Sequence, residues 1–296
     1  MITTHPRIAA APISWGVCEV PDWGYQLHAE RVLGEMRDLG VTAAETGPDG
    51  FLPTDPAALR DTLAAYDLQC VGSFVPVVLH DADHDPAPAV RAVITRLLVS
   101  GGDVLVLAAA TGTDGYDSRP ELDDDAWRTL LTNLDRLDAI AAESGIVAAL
   151  HPHVGTMIER NPEVLRVLED SSIGLCLDTG HLLIGGTDPL EISEAFAGRV
   201  RHAHLKDVRA DLARRVQHGE LTYTEAVAAG MYVPLGAGNA RIERVVRTLR
   251  DNDYDGWFVL EQDTILADEA AGDSAAADVA VSMSFLRSAC RPEIRA

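Results

Sequence analysis

The chain has 296 residues, of which 47% are hydrophobic and 24% charged, enough for a large buried core without disulfides or structural metals. Its formal net charge of −22 sets up a negative field that repels polyanions, which argues against nucleic acid or an anionic membrane surface as partner.

Short apolar runs alternate with longer amphipathic stretches from end to end. The runs cover residues 8–13, 41–45, 69–75, 103–108, 146–151, 173–178, 200–205 and 257–261. Near-continuous apolar runs of this length suit parallel strands buried on both faces. Helical spacing follows each of them, over 29–39, 56–66, 87–100, 124–144, 161–169, 189–197, 242–252 and 275–288, with Asp55 before Pro56 and Asn161 before Pro162 as start signals. Eight strand–helix pairs without a break in composition predict a (β/α)₈ TIM barrel, one domain over 1–296. An open doubly wound sheet would carry a glycine-rich first turn, and Ser14-Trp15-Gly16-Val17-Cys18 has no GxGxxG. The segment 207–239 is an insertion after the seventh strand, with a charged helix-like piece at 211–219; it reads equally as a working loop or a surface excursion.

Cys18, Cys70, Cys176 and Cys290 are widely spaced, which reads as reduced thiols and a cytoplasmic location. The N-terminal stretch has no apolar run long enough for a signal peptide, and no run approaches a membrane span.

Polar residues collect at the ends of the last four strands. These read Leu150-His151-Pro152-His153, Leu177-Asp178-Thr179-Gly180-His181, His202-Ala203-His204-Leu205-Lys206-Asp207 and Leu260-Glu261-Gln262-Asp263. In this fold the C-terminal strand ends build the active site. Taken singly, each has a plain alternative: a structural histidine, a helix-capping aspartate, or a glutamate paired with arginine. Four successive strands ending in imidazole or carboxylate have few cheap structural explanations, so His151, Asp178, His204 and Glu261 are expected to hold one divalent metal. The mixed N/O set suits Mn²⁺ or Co²⁺ first, then Fe²⁺ or Zn²⁺, and Mg²⁺ less well.

These motifs, with Ala11-Pro12-Ile13-Ser14-Trp15-Gly16, Glu45-Thr46-Gly47-Pro48-Asp49-Gly50 and His151-Pro152-His153-Val154-Gly155-Thr156, resemble the xylose isomerase-like barrels over nearly the full length. That superfamily includes sugar isomerases, epimerases and endonuclease IV, and within it the chain is most similar to the inosose dehydratase (2-keto-myo-inositol dehydratase) family. The resemblance implies a hydro-lyase acting on a cyclic keto-polyol or keto-sugar in the cytoplasm, with a homo-oligomer possible. Two features separate it from neighbours. His151 stands where the epimerases usually carry a glutamate that doubles as a base, and Gly236-Ala237-Gly238-Asn239 replaces the Gly-Asp-Gly-type turn of the dehydratases. Endonuclease IV needs further metal ligands and a basic face, which this sequence does not show.

Dehydration of a β-hydroxy ketone needs a base for the α-proton, a Lewis acid for the developing charge and an acid for the leaving hydroxyl. Glu45 and His153 are the candidates for these two roles, in either order, and Lys206 would polarise an oxygen or pair with Asp207. Trp15 is expected to line the pocket, with a plain core position as its alternative, and His181, by resemblance to the epimerases, to contact substrate hydroxyls; Asp207 and Arg209 are also expected at the substrate. Alternatives at the same centre are a keto-sugar isomerase or epimerase and β-elimination from a 3-keto glycoside. A catalytically silent binding barrel is the alternative from another class.

Overall fold

The computed structural model describes residues 6–113 and 115–290, so the first five residues of the stretch read above for a leader lie outside it. The strands are β1 (Arg7–Ala10), β2 (Ala43–Ala44), β3 (Gln69–Cys70), β4 (Gly72–Val78), β5 (Val104–Ala110), β6 (Val147–Leu150), β7 (Gly174–Asp178), β8 (Val200–Leu205), β9 (Asp207–Val208), β10 (Tyr232–Val233) and β11 (Trp257–Leu260). Nine of them form one parallel sheet in the order β3-β2-β1-β11-β8-β7-β6-β5-β4.

The two ends of that order, β3 and β4, are separated by Val71 alone. The Val71 N–H donates to Ala44 O (2.9 Å), and its carbonyl accepts from the N–H groups of Asp103 (2.9 Å) and Val104 (3.1 Å). One barrel position is therefore filled by a strand that pairs to one side first and to the other afterwards. Among the described residues, β4 past Gly72 has a strand partner only in β5. The open side tolerates Pro76, which has no N–H to give.

The helices are α1 (Ala29–Asp38), α2 (Pro56–Ala64), α3 (Ala87–Ser100), α4 (Asp124–Glu143), α5 (Asn161–Asp170), α6 (Thr179–Ile184), α7 (Pro189–Phe196), α8 (Ala210–Gln217), α9 (Tyr223–Ala228), α10 (Ile242–Asp251) and α11 (Gly272–Ala289). Aspartate caps start several of them: Asp55 accepts from the Ala58 N–H at 2.8 Å and Asp123 from the Ala126 N–H at 2.9 Å. The α5 helix begins at Asn161, where the spacing places it, but its cap is Arg160 rather than Asn161. There the Glu163 carboxylate takes the N–H groups of Glu159 (2.9 Å) and Arg160 (2.7 Å), and Asn161 is already helical.

Strand alternation sorts the core into two shells. Ala9, Ala43, Val71, Val104, Val106, Ala149, Cys176 and Val259 fill the barrel interior. Their neighbours Leu105, Leu107, Leu150, Leu177, Leu205 and Leu260 face the helices.

The insertion folds back on the barrel. β9 and β10 pair antiparallel, Val208 opposite Tyr232 and Asp207 opposite Val233. Val208, Leu212, Tyr223, Val227, Met231 and Tyr232 then bury themselves with Trp23 and Val154 in a separate apolar cluster. The surface-excursion reading is thereby overturned. Among the described residues, no helix is long and apolar enough to cross a membrane.

Candidate active site

Counting forward by two from the interior residues names the site. Ala149 leads to His151 and His153, and Cys176 to Asp178; His202 leads to His204 and Lys206, and Val259 to Glu261 and Asp263. Ala43 leads to Glu45. Each of these polar residues is buried, at most 7% exposed. Inward parity carried past the last ladder bond thus turns a packed apolar interior into a polar floor at the C-terminal end. Above it lies a cavity of about 320 Å³, at the small end of the range for small-molecule sites (roughly 300–1,000 Å³).

The expected metal donors meet on that floor. His204 Nδ1 is 3.0 Å from Glu261 Oε2 and 3.7 Å from Asp178 Oδ2. These three residues each offer one atom within 4.8 Å of the others, and His151 joins through its Nε2, 3.1 Å from Asp178 Oδ2. Bonds of about 2.0–2.2 Å to one ion put adjacent donors roughly 3 Å apart, which is the spacing seen. A second observation supports the fit: His204 Nδ1 is buried and has no hydrogen-bond partner, although two carboxylates face it. The set can hold a divalent ion.

Asp178 serves twice. Its Oδ1 caps α6, accepting from the N–H groups of Gly180 and His181 at 2.8 Å each, which turns Oδ2 toward the donors. Burial opposes its charge, but Lys206 and His181 outweigh that and hold its pKa well below the usual range. For His204 burial again opposes charge, and Cys176, Glu261 and Glu45 outweigh it and push its pKa well up. The carboxylates that favour a proton on this ring are those that would draw a metal, so ion and proton compete for it.

Glu45 lies where it can orient a ligand. Its Oε1 is 2.7 Å from His202 Nε2 and 2.9 Å from His204 Nε2, so His204 faces a carboxylate on one nitrogen and the donor set on the other. His153 is placed differently. Its Nδ1 donates to Val154 O at 2.7 Å, which leaves Nε2 as the bare nitrogen of a ring that lines the cavity. Burial, then His151 and Lys206, push its pKa well below the ordinary value and keep the ring neutral. His181 stacks behind it at 3.6 Å between ring centroids and does not line the cavity.

Lys206 does not pair with Asp207. Its Nζ is 2.6 Å from Asp263 Oδ1, 3.1 Å from Glu261 Oε2 and 3.7 Å from Asp178 Oδ2. Three further expectations meet a different placement. Trp15 is fully buried, its indole N–H donating to Glu35 at 2.7 Å, because the 3₁₀ turn Pro12–Trp15 breaks strand parity and aims the ring at α1. Asp207 accepts from the N–H groups of Val208 (3.0 Å), Gly236, Gly238 and Ala240 (2.9 Å each) and fastens the insertion. A Cβ on Gly238 would lie 2.3 Å from Asp207 Oδ1, which accounts for glycine in that turn. Arg209 is exposed and paired with Asp211 at 2.9 Å.

Sequence reading passed over several residues that the fold brings in. Asp263 carries the same inward parity that already points His202 into the barrel, and that parity identifies it. Tyr223 and Tyr232 arrive from the insertion: Tyr223 donates to Asp263 Oδ2, and the two hydroxyls are 2.9 Å apart. At the mouth Tyr116 packs 4.5 Å from the His153 ring and donates to the Glu19 carboxylate. Gly155 sits beneath it at φ 75°, where a Cβ would come within 2.4 Å of the Tyr116 backbone, so the glycine of the His151–Thr156 motif makes room for this wall.

Comparison with known proteins agrees with this fold. The family model described as xylose isomerase-like TIM barrel matches residues 33–289. Inosose dehydratase of Geobacillus kaustophilus is 32% identical, with 88% of each chain covered. The rhizopine catabolism protein MocC of Rhizobium meliloti is 31% identical, covering 86% of this chain and 81% of that one. Among solved structures, the IOLI protein with a bound zinc atom superposes with a TM-score of 0.65 at 12% identity, covering 95% of this chain and 96% of that one.

Proposed function

The chain belongs to the xylose isomerase-like TIM barrel family, and from that premise we propose that it is a hydro-lyase that removes water from a cyclic keto-polyol of the inosose type. The observation that carries the reading is that the His151, Asp178, His204 and Glu261 donors meet at the floor of one cavity, which His151, His204, Glu261 and the His153 ring line. Relatives named inosose dehydratase, 26–32% identical, support the substrate class.

A divalent ion in the donor set, Mn²⁺ or Co²⁺ by its mixed N/O chemistry, supplies Lewis acidity toward a substrate carbonyl. The residues do the rest. Glu45 fixes the orientation of His204. His153 Nε2 removes the proton beside the ketone; a carbon–carbon double bond forms as the neighbouring C–O bond breaks, and the hydroxyl leaves as water with the proton His153 carried. The Lys206 ammonium, held charged by Asp263, Glu261 and Asp178 against the cost of burial, donates to substrate oxygen rather than giving up its proton. Four unpaired cysteines support a reducing, cytoplasmic setting.

The test is direct. Purified protein loaded with Mn²⁺ and given 2-keto-myo-inositol is followed by ultraviolet absorbance and product mass. A new enone absorbance with loss of one water supports the reading; an isomer of unchanged mass without absorbance would make the enzyme an isomerase.

A further inference from the structure

Lys206 is anchored at its base and shared among several partners at its tip. Its N–H donates to Thr179 Oγ1 at 2.9 Å, that hydroxyl donates to the Lys206 carbonyl at 2.7 Å, and the stem runs so close to Gly180 that a Cβ there would lie 2.6 Å from Lys206 Cβ. The ammonium then stands among Asp263 Oδ1 (2.6 Å), Glu261 Oε2 (3.1 Å), His181 Nε2 (3.1 Å) and Asp178 Oδ2 (3.7 Å). Two of these oxygens belong to the metal donor set. An ammonium and a divalent ion that share carboxylate oxygens at such distances repel strongly in a buried site.

What draws the ammonium the other way comes from the insertion. Asp263 turns Oδ1 to Lys206 while its Oδ2 takes the Tyr223 hydroxyl, so the tyrosine fixes the carboxylate in the rotamer that faces the ammonium. The Tyr223 hydroxyl is itself 2.9 Å from that of Tyr232, whose ring lies 5.6 Å from Lys206 Nζ. Both tyrosines are buried, at 2% and 5% exposure. We propose that the insertion sets the metal affinity of the site: Tyr223, through Asp263, draws the Lys206 ammonium toward Asp263 and so weakens its hold on the two carboxylates it shares with the ion. Tyr223 is a positioning residue in this scheme. The inference rests on the metal reading above and adds a residue from outside the barrel to it.

The test is calorimetric titration of the full chain with Mn²⁺. Tyr223→Phe is expected to weaken binding about three- to tenfold, the net worth of an ordinary hydrogen bond, since the hydroxyl acts on the ion only through Asp263 and Lys206. Lys206→Met is expected to tighten it about tenfold or more, because a competing cation is gone. In the double variant the Tyr223→Phe penalty should vanish, since that hydroxyl acts through Lys206. A penalty that persists in the Lys206→Met background overturns the proposal, as does weaker binding by Lys206→Met or unchanged binding by Tyr223→Phe. Should Lys206→Met fail to fold, Asp263→Asn takes its place: weaker binding supports the scheme and unchanged binding overturns it. Wild-type protein that takes up no Mn²⁺ would remove the metal reading itself, whereas wild-type uptake with unresponsive variants would remove this inference alone.

Discussion

His204 and Glu45 meet end to end, with His204 Nε2 2.9 Å from Glu45 Oε1 and the opposite nitrogen of the same ring 3.0 Å from Glu261. A carboxylate in this position fixes the tautomer and tilt of a ligating histidine and raises its basicity. Glu45→Gln is therefore expected to weaken Mn²⁺ binding about 10- to 100-fold, the usual range for such partners, with most of the turnover returning at saturating metal. Titration calorimetry paired with kinetics checks it. Intact metal affinity with abolished turnover would make Glu45 the base instead.

His153 separates from the donors by the same measurements. Its replacement by alanine should lower kcat by about 10²–10⁴, the worth of a positioned general base, while Mn²⁺ affinity changes little. Loss of metal along with activity would place His153 among the ligands.

Asp207 is expected to matter for stability rather than for substrate. It satisfies four backbone N–H groups, and each buried donor left without a partner costs about 1–3 kcal/mol. Asp207→Ala should lower the denaturation midpoint markedly. A raised KM with an unchanged midpoint would return Asp207 to the substrate.

The thiols give a test of pH. Burial pushes Cys176 and Cys290 up to about 11 each. Thiolate is the reactive form and is favoured only above the pKa, so at pH 8 about one molecule in a thousand carries it at either position. Native protein should react slowly with a disulfide reagent at pH 8 and rapidly once unfolded. Fast labelling of Cys176 or Cys290 in the native state would contradict this.

The inward placement of the candidate donors is legible because it depends on local parity. Alternation along a strand is a property of four or five residues, and Cys176, Asp178, His202, His204 and Glu261 keep it to the last ladder bond. Asp263 was legible by the same rule and went unread. Glu45 was seen as a polar strand end, yet its partners were not, since the contact with His204 spans 159 positions and exists only once the barrel closes. Trp15 misled because a 3₁₀ turn resets the direction in which side chains point. Tyr223 and Tyr232 lie in an insertion whose path back to the barrel is set by the β9–β10 pairing and the Asp207 clamp, and no hydrophobic period announces either.

Turnover of 2-keto-myo-inositol before and after exhaustive chelation, with Mn²⁺ added back, tests the centre of the account most directly. Activity should disappear with the metal and return with Mn²⁺ in the wild-type protein but not in Asp178→Asn, which keeps the α6 cap oxygen and loses the ligand charge. Full activity in the chelated protein would contradict it.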